Sequence, residues 1–185
     1  FALGHQNLGM QVFGGHGFIS EWGMEQNVRD ARIGMIYEGT TGIQALDLLG
    51  RKVLMTQGES LKGFTKQVHL FCKENAEDEQ LKEFIELTTK IGMSAMKNRE
   101  EVGAASVDYL MYSGYAVFAY LWARMAKVAL DKMVEGTTEE MFYNAKIQTA
   151  RFYFKRMLPR AKGHAESMLP GADRVMDMPE EAFAI

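Results

Sequence analysis

Glu38 stands between an aromatic residue and a glycine in Tyr37-Glu38-Gly39-Thr40, just ahead of a stretch able to start a helix. A carboxylate placed so is either a solvated loop residue or a general base. The second reading has definite chemistry. With Ile36 and Tyr37 beside it, a partly apolar pocket would raise its pKa toward neutrality and let it take a proton from carbon. Gly39 would let a substrate's backbone-like atoms come close to the carboxylate. Upstream, Gly14-Gly15-His16-Gly17 lacks the G-x-G-x-x-G dinucleotide pattern, and no strand precedes it. These glycines are either a helix-breaking turn or a place where a phosphate or adenine meets bare backbone. Thr40, Thr41 and Gln44 lie at a helix start. They read as caps, although a helix N-terminus also offers free N–H groups and a positive dipole end to a ligand. Arg29, Asp30 and Arg32 read as an ion network that fixes the turn before Glu38, or as ligand contacts.

Other chemistry is poorly supported. His5, His16, His69 and His164 have no metal-ligand spacing with one another, and Glu-x-x-His does not occur, which argues against a di-iron carboxylate bundle. No metal is expected. Cys72 lies on an apolar helical face and reads as a core residue rather than a nucleophile. The series Tyr109, Tyr112, Tyr115, Phe118, Tyr120 and Trp122 covers more than one helical face, as packing or a subunit interface would.

The elements that must position these groups all read as helical. Phe1–Phe13 looks like the end of a helix, broken by the glycine turn. Trp22–Ile33 predicts a short helix with a Glu25–Arg29 ion pair. Residues 35–39 form an irregular connector, and a helix follows from Thr40 or Thr41, with a Thr41/Gln44 capping box and a stripe of Ile43, Leu46, Leu49 and Val53. Gln57-Gly58 ends that helix and is the candidate domain boundary. Further helices are expected over Glu59–Glu74 (Leu61, Phe64, Val68, Phe71), Asp78–Lys97 (Leu81, Phe84, Ile85, Ile91) and Glu101–Glu135. The last has an apolar side through Leu110, Val117, Leu121 and Val128, and small residues such as Gly103 and Ala119 that allow close helix approach. Gly136 stops it. A Thr137/Glu140 capping box opens a final long helix to about His164, and Asp177-Met178-Pro179-Glu180 starts one short turn. No stretch shows strand alternation, so the chain is expected to be all-α.

Composition sets the outer bounds. In 185 residues, 47% are hydrophobic and 24% charged, as in an ordinary globular protein. A net charge of −3 gives no basic face for nucleic acid and no polybasic membrane patch. No apolar run approaches the roughly 20 residues of a membrane helix. Only three prolines occur, which suits long helices. The lone cysteine points weakly to a reducing compartment. The chain starts at Phe1 with no signal-peptide pattern, which suggests a piece of a longer protein.

Taken together, Gln11-Val12-Phe13-Gly14-Gly15-His16-Gly17-Phe18, Glu25-Gln26, Arg29-Asp30-Ala31-Arg32, Ile36-Tyr37-Glu38-Gly39-Thr40 and Ile43-Gln44 resemble the C-terminal helical domain of acyl-CoA dehydrogenases. The resemblance covers roughly residues 1–55. Residues 59–185, including Thr149-Ala150-Arg151-Phe152-Tyr153-Phe154 and Met157-Leu158-Pro159, look more loosely like the extra C-terminal helical region of the longer bacterial members. What this implies is a helical-bundle domain over 1–57 followed by a further helical bundle over 58–185.

The resemblance further implies FAD as cofactor and an acyl-CoA thioester as substrate. The product is the trans-2-enoyl-CoA: Glu38 abstracts the α-proton while the β-hydrogen leaves as hydride. Tyr37 and Gly39 would lie along the substrate. Gln11, Gly14 and Gly15 would contact the FAD of a neighbouring subunit near its adenosine end. Thr40, Gly42 and Gln44 would lie along the flavin or its pyrophosphate, Gly42 with backbone only. His16 stands where asparagine or alanine is common. A homodimer or homotetramer, an electron-transfer flavoprotein as electron acceptor and a cytoplasmic location are the matching expectations. The family's N-terminal helical and middle β-domains have no counterpart here, so the chain alone is expected to be colourless and inactive. Two other readings stay open: an acyl-CoA oxidase of the same architecture, and a non-catalytic helical assembly module.

Overall fold

A computed structural model describes residues 2–75 and 79–183, the side chains of 79–85 excepted. Every regular element among them is helical, with no strand. The chain folds as two compact units, Phe1–Gln44 and Ala45–Ile185.

In the first unit, α1 (Ala2–Val12) packs against α2 (Met24–Ile33) through two short 3-10 turns, Gly14–Phe18 and Ser20–Trp22. The glycine turn arises where the sequence places it, and two glycines account for its shape. Gly14 sits at φ +60, where an L side chain is strained. Gly17 is buried, and a Cβ on it would stand 2.2 Å from the Met10 carbonyl oxygen. Gly23, at φ +69, interrupts the helix expected from Trp22, so Trp22 ends a 3-10 turn and α2 begins at Met24. Beyond α2, the Ile36 and Tyr37 amides still donate to the Ile33 carbonyl (3.0 and 3.2 Å) before the chain turns at Glu38 and Gly39. It restarts as α3 (Thr41–Leu46).

The second unit opens with a departure from the expected α-helix. After Leu46 the ladder widens into a π-helical stretch, Asp47–Leu54, and the Met55 amide reaches the Gly50 carbonyl at 2.9 Å. Gly50, a weak helix former, lies at the middle, with Val102 Cγ1 3.5 Å from where its Cβ would be. Of the expected stripe, Leu49 and Val53 are buried, whereas Ile43 and Leu46 are exposed. Gln57 and Gly58, both at positive φ, end the segment, and α4 (Glu59–Asn75) follows. Then come α5 (Glu79–Lys97), α6 (Glu100–Glu135), α7 (Glu140–Phe152), α8 (Ala161–Ser167), α9 (Asp173–Met176) and a 3-10 turn at Glu180–Phe183.

The long α6 is the spine of this unit, with α5, α7 and α8 packed along it. The face it buries is not the expected one. Val117, Leu121 and Val128 are 37%, 40% and 56% exposed, while Ala105, Tyr109, Tyr112, Tyr115 and Ala119 join Leu49, Val53, Leu87, Ile91, Tyr153 and Leu158 in one core. Tyr109, Tyr112 and Tyr115 of the series are thus packing; the Tyr109 hydroxyl bonds Thr88 Oγ1 at 3.0 Å, and Tyr153, packed in the same core, donates to the Tyr115 carbonyl at 2.7 Å. Burial raises the pKa of both phenols above the ordinary tyrosine value. Among the small residues, Ala119 does let a neighbour approach, but a Cβ on Gly103 would meet open space.

Three more expectations need correction. Cys72 is half-buried rather than a core residue. Thr137 Oγ1 accepts from the Glu139 amide at 3.1 Å, a local turn ahead of α7 instead of a capping box with Glu140. The last long helix is broken: α7 ends at Phe152, Tyr153–Met157 is π-helical and Leu158–Arg160 is 3-10. Pro159 accounts for this, since its ring crowds the carbonyl four residues back and it offers no N–H to the ladder. For the helix predicted over Asp78–Lys97, Asp78 and the side chains of Leu81, Phe84 and Ile85 lie outside the described residues. No helix among the described residues is long and apolar enough to cross a membrane, and no group of three or more His, Cys, Asp or Glu among them could hold a metal.

Candidate active site

The residues singled out in the sequence fall at two places in the first unit. One is the end of α1 with the glycine turn: Gln11, Gly14 and Gly15 are all exposed. The three glycines of that turn do different work. Gly14 and Gly17 are required by the fold, through positive φ and through contact with Met10. Gly15 has no positive φ, and nothing lies within 4 Å of where its Cβ would be. The fold does not demand glycine there, whereas close approach of a ligand to backbone would. His16 gains an explanation that the sequence did not offer. Its ring meets Trp22 edge to face at 5.2 Å, and Trp22 in turn meets Phe13 at 6.0 Å, so the histidine braces the turn.

The other place is the connector between α2 and α3. The expected Arg29–Asp30–Arg32 network is instead a set of contacts within α2 and its exit. Arg29 pairs with Glu25 (2.9 Å) and donates to Gln26; Gln26 donates to Asp30 at 2.7 Å; Arg32 Nη1 points to Met35 Sδ at 3.8 Å. Helical spacing explains this, because side chains three and four apart face one another while neighbours in sequence do not. Only Arg32 reaches into the connector.

Glu38 is exposed and holds φ +52, a left-handed backbone conformation uncommon for a residue with a side chain. Gly39 follows at φ +81. Ile36 and Tyr37 are 52% and 54% exposed, so they do not by themselves build the apolar pocket expected around the carboxylate. Thr40 is the residue ahead of the helix, its carbonyl accepting from the Gln44 amide at 2.9 Å, and the Thr41 amide bonds back to the Met35 carbonyl at 3.3 Å. Thr41 is therefore inside α3 and forms no capping box with Gln44. The Gln44 side chain goes elsewhere: its Nε2 donates to the Glu38 carbonyl at 2.9 Å. Sequence reasoning missed that bond because it spent the Gln44 side chain on a capping box with Thr41. The only signal for it was a glutamine one turn beyond a Glu-Gly pair. Gly42 is half-buried within α3, with only Thr40 Oγ1, at 3.9 Å, near the place of a Cβ.

Chemically, the arrangement presents one carboxylate on a bent, tied-down connector and, separately, an exposed glycine edge beside Gln11. Comparison with known proteins gives two family matches in succession along the chain. Residues 6–54 match the family described as the acyl-CoA dehydrogenase C-terminal domain, and residues 64–179 match the one described as acetyl-CoA dehydrogenase C-terminal like. The chain is 32% identical over 193 residues to a broad-specificity linear acyl-CoA dehydrogenase of Mycobacterium tuberculosis, covering 94% of this chain and 32% of that protein. It is 31% identical over 188 residues to a butyryl-CoA dehydrogenase of Syntrophomonas wolfei, covering 94% and 31%. To a 3-methylmercaptopropionyl-CoA dehydrogenase of Ruegeria pomeroyi it is 34% identical over 164 residues, covering 82% and 28%. It thus spans about a third of the length of these relatives. Two adjoining family matches, one of them over more than half the residues, leave a single conclusion: the chain belongs to the acyl-CoA dehydrogenase family, as its C-terminal helical part.

Proposed function

We propose that this chain is part of an FAD-dependent acyl-CoA dehydrogenase in which Glu38 is the base. The observation that carries the reading is the connector: a glutamate held in a left-handed turn, exposed, and fixed from the following helix. Such strain, tied down by a specific contact, is a mark of functional turns. Glu38 takes the α-proton of the acyl thioester onto its carboxylate, the C–H electrons form the new double bond, and the β-hydrogen departs with its electron pair. FAD, when bound, supplies the two-electron acceptor for that hydrogen. Gly39 leaves room beside the carboxylate for the thioester, with Tyr37 alongside it.

The residues present fit a flavin cofactor. The bare edge at Gly14-Gly15, beside exposed Gln11, has space that no side chain of the turn fills. Thr40 and Gly42 line the other side of the proposed site, while the Gln44 side chain is spent on the Glu38 carbonyl. Residues 1–57 carry this chemistry and 58–185 form an appended helical part. A homodimer or homotetramer, with an electron-transfer flavoprotein as electron acceptor, completes the reading.

The test uses the full-length enzyme with FAD bound, wild type against Glu38→Gln, mixed without oxygen with acyl-CoAs of graded chain length while flavin bleaching is followed. Loss of about 10²- to 10⁴-fold in rate with ligand binding retained is the expected result. Equal bleaching by both proteins would put the base elsewhere. The half-exposed row Val117, Phe118, Leu121, Met125 and Val128 on α6 favours a second role for the appended part, in assembly. Aspartate substitutions along that row, read by sedimentation, should then dissociate the oligomer and, by taking Gln11, Gly14 and Gly15 away from the neighbour's flavin, weaken flavin retention.

A further inference from the structure

We infer that Gln44 is the positioning residue of this site, acting through the backbone of Glu38; the inference rests on Glu38 being the base. Its amide Nε2 donates to the Glu38 carbonyl at 2.9 Å, a bond that spans the whole end of the connector. Glu38 and Gly39 are consecutive left-handed residues, at φ +52 and +81, and the carbonyl that Gln44 takes belongs to the peptide between them. Fixing that peptide fixes the direction in which the Glu38 Cα–Cβ bond leaves the chain.

Three features make the contact specific. A Cβ on Gly39 would stand 3.2 Å from Gln44 Nε2 and 3.2 Å from Ile43 Cγ2, so the amide lies close over residue 39 and glycine admits it there. The Gln44 main chain is itself fixed, its amide bonded to the Thr40 carbonyl at 2.9 Å. And the bond needs a donor at this reach: glutamate has the length without the N–H, and asparagine has the N–H on a stem one methylene shorter. Without the bond, residue 38 is free to relax toward the ordinary negative-φ basins, which turns its carboxylate away from one fixed line of approach. Gln44 is thus assigned to the geometry of the base, rather than to the flavin.

The experiment compares wild type, Gln44→Glu, Gln44→Ala and Glu38→Gln in the full-length, FAD-loaded enzyme. Three quantities are read: kcat against KM, flavin affinity, and solvent-deuterium exchange at the α-carbon of an acyl-CoA with no transferable β-hydrogen. The exchange reports the base without any redox step. Both Gln44 variants are expected to lose about 10- to 100-fold in kcat and in exchange rate together, with KM and flavin affinity held within about threefold. Weakened flavin binding with unchanged exchange per bound flavin would make Gln44 a cofactor contact and overturn the inference. Unchanged values throughout would overturn it as well. If Glu38→Gln itself keeps full exchange, the failure belongs to the base assignment beneath.

Discussion

Replacing Gly17 by alanine tests the turn that shapes the first unit. The new Cβ would lie 2.2 Å from the Met10 carbonyl oxygen and 3.0 Å from Met10 C and Cγ. Restoring a normal contact requires the last turn of α1 to move by about 1 Å in a close-packed place. The obstacle is largely backbone, so no rotamer change relieves it. Overpacking of this kind costs about 1–3 kcal/mol, and a backbone obstacle puts it in the upper half, ~2–3 kcal/mol. The readout is hydrogen exchange of the α1 and α2 amides, where that loss lowers protection by about 30- to 150-fold. Gly15→Ala is the control. It meets nothing within 4 Å and needs no positive φ, so its protection should stay within about 0.5 kcal/mol of wild type. If Gly15 exists for close approach of the flavin, the same alanine weakens flavin binding in the full-length enzyme. Protection unchanged in Gly17→Ala would refute the steric argument, and with it the separation of structural from ligand-facing glycines.

Leu49→Ala removes a fully buried side chain from the core of the second unit and should destabilise it by about 2–5 kcal/mol in denaturant unfolding, with no change in the slope of the transition. Tyr153→Phe should cost about 1–3 kcal/mol near neutrality, because the Tyr115 carbonyl loses its donor. The same variant has an alkaline signature: burial raises the Tyr153 pKa, so its contribution is complete below the ordinary tyrosine pKa and falls as pH rises toward the folded value. Stability of wild type should therefore drop above pH 10 by up to about 1.4 kcal/mol per pH unit for each of Tyr109 and Tyr153, and Tyr153→Phe should show one tyrosine less in that slope. Gly136→Ala, at φ +85, should cost about 1–2 kcal/mol in thermal unfolding as α6 loses its stop, whereas Gly103→Ala, facing open space within α6, should stabilise by about 0.5–1 kcal/mol.

The helices were legible because local signals and tertiary packing agree over most of the chain: Gly136 ends α6, the glycine run ends α1, and Pro179 starts the final turn. What local signals cannot weigh is competition. Along α6 the aliphatic row looked like the core face, yet Tyr109, Tyr112 and Tyr115 took the interior, where the Tyr109 hydroxyl meets Thr88 and the Tyr115 carbonyl meets the Tyr153 hydroxyl, partners that exist only in three dimensions. The π-helical stretches escaped notice for a related reason. Periodicity separates 3.6 from 2, but not an α-ladder from one widened over two turns. At the proposed site, Glu38 stands out by its neighbours and by the family pattern, and the Gln44 bond does not, since it depends on the sign of two φ angles.

Those two angles are informative only by comparison within the chain. Gln57-Gly58 repeats the geometry of Glu38-Gly39, with φ +52 and +79 against +52 and +81. A left-handed pair is thus not a functional mark in itself, and the difference lies in what holds it. At 57–58 the holds are main-chain bonds, backward from the Gln57 amide to the Leu54 carbonyl and from the Gly58 amide to the Val53 carbonyl, and forward from the Leu61 and Lys62 amides to the Gly58 carbonyl, as one helix stops and the next begins. At 38–39 the hold comes forward, from a side chain in the next helix. Main-chain bonds of that kind accompany any helix that stops and restarts, and they single out no side chain. A forward hold by a side chain fixes the turn itself. That asymmetry supports reading Glu38 as a positioned carboxylate and Gln57 as punctuation. It also predicts that Gln57→Gly, which relieves left-handed strain, stabilises by up to about 1 kcal/mol at no functional cost. Glu38→Asp would keep the turn and the carboxylate but shorten its reach, and so should lose rate with little change in stability.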